Sequence, residues 1–311
     1  MASRQQQPII RGLLILGISA LLIILRFTSD LHTPLIFLIK AVFMPITVGY
    51  LAVVVTVALW YRKRATSIAC ILSLIALLPF IGPNITLSSS ASLSANSTLR
   101  IATFSAMTRT QNTVDIKKFI QRYDPDILCL QEIDTGDIHK LVDQLDNHYD
   151  YQQTNSANLT IFSHPPISVR SDAAAYQHVV IDAGLLGKID LFNVHMTRPY
   201  RTQAAMDENW KNLLQQIDRE TATLLCGDFN FSPYNSLYDS IVYHYGYTDA
   251  LQIGYGFTYP NAQRRSALFG PLIRIDYLFS KKLTPSRTET LNVSNLSDHR
   301  AVMTSYKVPQ P

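Results

Sequence analysis

Five apolar runs in this 311-residue chain end in, or open on, groups that can bind a cation or carry a proton. Leu128-Cys129-Leu130-Gln131 leads into Glu132, and Leu191-Phe192-Asn193-Val194 leads into His195. Thr223–Cys226 is followed by Gly227-Asp228-Phe229-Asn230. Asp276 follows Arg274-Ile275, and Ser297-Asp298-His299 precedes the last apolar run. Asp228 and Asn230 are two apart, so in extended chain a carboxylate and a carboxamide point the same way. Each group alone has an ordinary explanation. Glu132 reads as a solvated strand end, His195 as a core histidine, Asp276 as a local cap, and Asp and Asn are favoured in turns for backbone reasons. Recurring at strand ends, they predict one shared rim carrying acid–base and cation-binding groups.

The elements that must position this rim read as mixed α and β. Strands are expected at Leu99–Phe104, Ile127–Leu130, Leu159–Phe162, Tyr176–Ile181, Lys188–Val194, Thr223–Cys226, Ile273–Phe279 and Ala301–Tyr306. Thr113 reads as a helix N-cap, with Ile116, Phe119, Ile120 and Tyr123 forming one apolar stripe. Asp124-Pro125-Asp126 ends that helix. Thr202–Ile217 is helical in pattern through Ala205, Trp210, Leu213, Leu214 and Ile217, and a further helix is expected near Ser236–Tyr243. Many strands with few intervening helices point to α+β sheets packed together rather than a doubly wound parallel sheet.

The ordered set Leu-Gln-Glu (130–132), Asn-x-His (193–195), Gly-Asp-Phe-Asn (227–230), Arg-Ile-Asp-Tyr (274–277) and Ser-Asp-His (297–299) resembles the endonuclease/exonuclease/phosphatase, or DNase I-like, superfamily. Asp-Pro-Asp-Ile-Leu-Cys-Leu-Gln-Glu (124–132) and Ile-Phe-Ser-His-Pro-Pro-Ile (161–167) fit the same pattern, so the likeness covers roughly Leu99–Lys307. The resemblance implies two packed mixed β-sheets flanked by helices, with the site at one end of the sandwich. It also implies hydrolysis of a phosphoester or phosphoanhydride with a divalent metal, usually Mg²⁺, with Mn²⁺ as the alternative. A hard cation on carboxylate oxygens neutralises charge at phosphorus.

By the same resemblance Glu132 is the principal metal ligand and Asp298 contacts the metal. Asp228 accepts or orients the attacking water, and Asn230 donates to the phosphoryl group. His299 touches a phosphoryl oxygen, with Asp276 behind it fixing the tautomer, and His195 is a second donor. Ser105 stands where the family places a metal-holding asparagine, a shorter and poorer ligand, and Asn112 is a candidate substitute. Arg198 and Arg201 are candidates for binding phosphate or a head group. Tyr255, Phe257, Tyr259, Arg264, Arg265 and Phe269 are candidates for a substrate-facing or membrane-contacting loop.

The first third of the chain differs in kind. Ile9–Phe27, Leu35–Tyr61 and Ala65–Ile81 are apolar stretches near the length that spans a bilayer, and three spans are expected. Arg4, Arg11, Arg62, Lys63 and Arg64 fall on one side of such spans and Arg26 on the other, which predicts a cytoplasmic N-terminus. Everything after Ile81 then lies outside the cytoplasm, as in membrane-anchored extracytoplasmic members of the superfamily. The organisation expected is an anchor over 1–82, a Ser/Asn-rich linker over 83–98, and a catalytic domain over 99–311.

Residues 1–97 carry seven Lys/Arg against one acid, while the remainder carries 20 against 22 and is net −2. The expected partners are therefore the membrane and a phosphorylated substrate, with a membrane lipid as a candidate, and nucleic acid is disfavoured by that net charge. A surface nuclease, or a binding protein with a decayed metal site at Ser105, are the alternatives. Cys129 and Cys226 fall in strand-like runs and read as core fillers, with a disulfide between them as the lesser alternative.

Overall fold

Two pairs of neighbouring parallel strands set the plan of the molecule. The computed structural model describes residues 6–30, 33–61, 63–81, 98–106, 113–198, 203–217, 220–251, 256–261, 270–293 and 297–307. β1 (Thr98–Ser105) runs parallel to β2 (Ile127–Gln131), and β7 (Lys188–His195) parallel to β8 (Thr223–Asp228). Antiparallel strands extend each pair into a six-stranded sheet.

The first sheet has the order β11 (Pro285–Leu291), β12 (Ala301–Lys307), β1, β2, β4 (Thr160–Ser163), β3 (Tyr151–Thr154). The second has the order β5 (Ile167–Ala173), β6 (Tyr176–Asp182), β7, β8, β10 (Asp276–Lys281), β9 (Thr248–Asp249). Because β10 and β12 run against their parallel neighbours, their first residues sit beside the last residues of β8 and β1. The carboxyl ends of the parallel strands and the amino ends of β10 and β12 therefore share one end of the sandwich.

Alternation along the strands builds three apolar layers. Ile101, Cys129, Ile161, Leu191, Leu224, Cys226 and Leu278 meet between the sheets. On the outer face of the first sheet lie α5 (Thr113–Tyr123) and α6 (Thr135–Leu145), burying Phe119, Ile120, Ile138 and Leu141. On the second lie α7 (Gln203–Ile217), which buries Trp210, Leu213 and Ile217, and α8 (Ser236–Asp239). The expected sandwich of mixed sheets flanked by helices is the observed one.

Four details of the sandwich differ from expectation. Asp276 opens β10 rather than lying inside it. The helix α6, started by the Asp134 side chain accepting from Asp137 N at 2.9 Å, was not anticipated. Nor were β3, β5, β9 and β11, which are short or edge strands. Finally, Cys129 and Cys226 are disulfide-bonded, stapling β2 to β8 across the two sheets. Each points into the layer between the sheets, so the facing thiols stand close enough to join rather than merely fill space.

Ahead of β1 come α1 (Gln7–Phe27), α2 (Pro34–Ala41), α3 (Phe43–Tyr61) and α4 (Arg64–Ile81). Of these, α1, α3 and α4 are long and apolar enough to cross a membrane. The stretch expected as one span, Leu35–Tyr61, is broken into α2 and α3 around Val42. The linker expected over 83–98 lies, except for Thr98, outside the described residues.

Candidate active site

Glu132 leaves β2 with φ 55°, a left-handed backbone unusual for a residue with a Cβ. Its Oε1 lies 3.2 Å from His195 Nε2 and 3.3 Å from Arg198 Nη2. The His195 hydrogen bond, reinforced by nearby positive charge against the opposing effect of burial, holds the Glu132 carboxyl down at about 2. Burial disfavours the His195 cation, yet the Glu132 hydrogen bond and the Asp228 charge outweigh it and raise that pKa.

Asp228 is the last residue of β8 and is fully buried. It is in register with His195 on one side and Asp276 on the other. Asp228 Oδ1 accepts from Asn230 N at 2.9 Å, while Oδ2 is buried with no hydrogen-bond partner among the described residues. Burial, with the Asp276 charge, pushes its pKa up to about 6 against the pull of His299 and His195. Gly227 makes this packing feasible. With φ 144°, a Cβ there would lie 1.9 Å from Val194 O. Asn230 has φ 53° and donates one carboxamide hydrogen to Met196 O at 2.8 Å, which leaves the other for a ligand.

His299 is buried just before β12, with Nδ1 2.9 Å from Asp276 Oδ2. Its Nε2 lies 3.9 Å from both Asp228 Oδ2 and Asp298 Oδ1. Burial works against the imidazolium, but the Asp276 and Asp228 charges prevail and lift its pKa to about 9. With Asp276 on Nδ1, Nε2 is the donor that faces the cluster.

The structure thus brings Glu132, His195, Arg198, Asp228, Asn230, Asp276, Asp298 and His299 to one end of the sandwich. Arg198 reaches Glu132, a contact not anticipated for a candidate phosphate binder. Ser105 ends β1 beside Gln131, and its backbone oxygen accepts from Ser297 Oγ at 2.6 Å. The Ser105 hydroxyl is buried and has no hydrogen-bond partner among the described residues. Asn112, Arg201, Tyr255, Arg264, Arg265 and Phe269 lie outside the described residues.

The donor set suits a divalent cation. Glu132, His195 and Asp228 offer ligand atoms within 4.8 Å of one another, as do Asp228, Asp276 and His299. Asp228 is common to both groups, and carboxylates dominate, which favours a hard cation. A further group, Asp124, His148 and His164, stands on more exposed chain, before β2, after α6 and after β4 respectively. There, His148–Asp124 and His164–Asp150 pairs already engage the imidazoles.

Residues without a role assigned from sequence complete the scaffold. Gln131 Nε2 donates to Asn193 Oδ1 at 2.7 Å, and Asn193 Nδ2 donates to Leu130 O and Thr160 O. This buried amide pair ties the two sheets together beneath the site, and both amides stand inside the quoted motifs. Thr258 Oγ1 accepts from Ile275 N and Asp276 N, and Asn261 Nδ2 donates to His299 O at 3.2 Å. Of the aromatic residues expected in the substrate-facing or membrane-contacting loop, Tyr259 has its ring 5.0 Å from that of His299. A lone Thr and Asn in an irregular loop carry no periodicity or spacing that would reveal such contacts.

No curated protein sequence matches this chain. Solved structures share its fold at low identity. A mannosyl-6-phosphatase from Bacteroides thetaiotaomicron is 17% identical with a TM-score of 0.54, over 67% of this chain and 99% of its own. An AP endonuclease from Leishmania major is 13% identical with a TM-score of 0.55, over 72% of this chain and 93% of its own. An AP endonuclease from Archaeoglobus fulgidus is 17% identical with a TM-score of 0.51, over 67% and 99%. The sequence itself matches the model of one family over residues 103–299, more than half of the chain and spanning every motif from β1 to His299. On that match, the chain belongs to the Endonuclease/Exonuclease/phosphatase family.

Proposed function

We propose that the chain is a membrane-anchored, Mg²⁺-dependent phosphohydrolase that cleaves a phosphoester or pyrophosphate of a membrane amphiphile by attack of water. The observation that carries the chemistry is the buried Asp228, with one unpartnered oxygen, set between Glu132–His195 on one side and Asp276–His299 on the other. Glu132, with Asp298 and the Ser105 hydroxyl at the edge, would hold the cation, with Mn²⁺ able to replace Mg²⁺. The cation supplies charge neutralisation on the phosphoryl group.

Asp228, with its pKa near 6, orients a water and takes its proton as the new P–O bond forms and the leaving-group P–O bond breaks. His299, cationic near neutral pH, donates from Nε2 to a phosphoryl oxygen. Asp276 holds that ring in place, Asn230 donates its remaining carboxamide hydrogen, and His195 and Arg198 face the substrate's charge from Glu132's side.

Several features support an extracytoplasmic, membrane-facing placement. Leu13, Leu14, Ile24, Leu59, Trp60 and Leu78 are each more than 60% exposed on the three long helices, a surface suited to lipid. The sandwich packs against the ends of α1 and α4 away from Arg11, Lys63 and Arg64, so a cytoplasmic basic end puts it outside. The Cys129–Cys226 disulfide fits an oxidising compartment. A cavity of about 210 Å³ opens at the same junction, walled by Phe27, Phe80, Tyr234, Tyr238, Arg26 and Arg274.

The test is a substrate panel on the full chain in nanodiscs with Mg²⁺. Phospholipid and isoprenyl pyrophosphate presented in the bilayer should be cleaved faster than DNA. Preference for DNA would establish a nuclease instead, and hydrolysis of none would overturn the reading.

A further inference from the structure

The loop that follows the Asp228–Asn230 turn is buried against the helices that precede the sandwich. Asp30, just after α1, is fully buried. Its Oδ1 accepts from Ser236 N at 2.8 Å and lies 3.4 Å from Lys40 Nζ, and its Oδ2 accepts from Asn235 Nδ2 at 2.6 Å. The second Asn235 amide hydrogen goes to Phe37 O at 3.1 Å, and Asn235 Oδ1 accepts from Ser232 N at 2.8 Å. Ser232 Oγ donates to Lys40 O at 2.9 Å. Every hydrogen-bonding group of the Asn235 carboxamide is therefore satisfied, and two of its partners belong to the segment around α2.

Apolar contacts follow the same path. Phe37, 2% exposed, leaves α2 to join the cluster of Trp210, Phe229, Phe231 and Tyr277 behind the second sheet. The Tyr234 ring lies tilted, 4.9 Å from that of Phe43, and its hydroxyl donates to Phe80 O at 2.7 Å. Arg26 makes a two-pronged ion pair with Asp239 at 3.0 and 3.2 Å. Ser232 is two residues from Asn230, a reach of about 7 Å at full extension. The site is thus fastened to the helices within that span.

We infer that α2 and the Asp30–Lys40 pair are part of the active-site scaffold, so that Asp30, Phe37 and Lys40 are positioning residues for Asp228 and Asn230. The helices then do more than tether the sandwich. They fix the loop that sets the site, and a sandwich cut free at Thr98 loses the acceptors of both Asn235 amide hydrogens and of Ser236 N, leaving that loop held by its own Ser232–Asn235 hydrogen bonds. The inference rests on the reading of Asp228 and Asn230 as site residues, but its test measures order and metal affinity rather than turnover.

The experiment compares the full chain in phosphatidylethanolamine/phosphatidylglycerol nanodiscs with Asp30→Asn and Asp30→Asn/Lys40→Met. Asp30→Asn leaves the buried Lys40 charge uncompensated, and the double variant removes both charges. Amide hydrogen exchange over 229–239 should rise about tenfold or more in Asp30→Asn, with β1, β2 and β12 unchanged. Mn²⁺ affinity should fall about tenfold alongside it, and the double variant should restore both to within about threefold.

If Asp30→Asn does not fold, Ser232→Ala, which removes the donor to Lys40 O, should show the same local pattern at a smaller amplitude. Unchanged exchange over 229–239, or an even rise across all strands, would overturn the inference. Local loosening without loss of Mn²⁺ affinity would overturn the positioning role. A wild type that binds no Mn²⁺ would count against the metal-site reading, leaving exchange to decide the clamp.

Discussion

Asp228 and Asp276 face one another across the β8–β10 ladder, and the buried imidazole of His299 stands against both. Two carboxylates so placed repel unless a cation joins them. In the chain itself His299 meets that need, held at Nδ1 by Asp276 and turned toward Asp228 through Nε2.

The folded pKa of His299, lifted to about 9, lies above its ordinary 6.5. Its contribution to stability is therefore fully present below about pH 6.5 and lost as the pH rises through 9, up to about 3 kcal/mol. Chelator-treated protein should melt at progressively lower temperature between pH 6.5 and 9. The slope should flatten in His299→Gln. An equal slope in that variant would assign the effect to another group.

Glu132 sits at about 2, held there first by the His195 hydrogen bond. Glu132→Gln keeps the shape but removes the charge, and divalent-cation affinity should fall about 100-fold or more. A Mn²⁺ titration reads this directly. Unchanged affinity would move the metal site away from β2.

Gly227 has no room for a side chain, because a Cβ would lie 1.9 Å from Val194 O and φ is 144°. Gly227→Ala should cost about 4 kcal/mol or more, enough to abolish protease-resistant protein. Wild-type-like resistance to proteolysis would show that β7 and β8 pack less closely than described.

The Cys129–Cys226 bond joins residues 97 apart in sequence. Replacing both by Ala should lower stability by about 2–4 kcal/mol, read by melting. In unfolded, non-reduced wild type, thiol titration should find Cys70 alone. Three reactive thiols would show that the bond is absent.

The rim of strand ends was legible because each motif pairs a run of buried residues with one polar group, a pattern that backbone alternation makes visible. Glu132, His195, Asp228 and His299 are all of this kind. The helix α6 was legible in principle, from Asp134 as cap and Ile138, Leu141 and Leu145 at helical spacing. Thr258 and Asn261 were not, since their hydrogen bonds are to backbone far away in sequence. The disulfide was hidden for a similar reason. Facing positions on two different sheets are set by packing angle, which no local pattern encodes. The Asp30–Lys40–Asn235 network is likewise invisible from three residues in separate segments.

The central claim is metal-dependent hydrolysis at the Asp228 site, and one measurement tests it most directly. The full chain in nanodiscs, supplied with Mg²⁺, should hydrolyse bis(p-nitrophenyl) phosphate or an isoprenyl pyrophosphate. Glu132→Ala and His299→Ala should each lower kcat about 1,000-fold or more, and chelation should do the same. Hydrolysis retained in both variants would contradict the account.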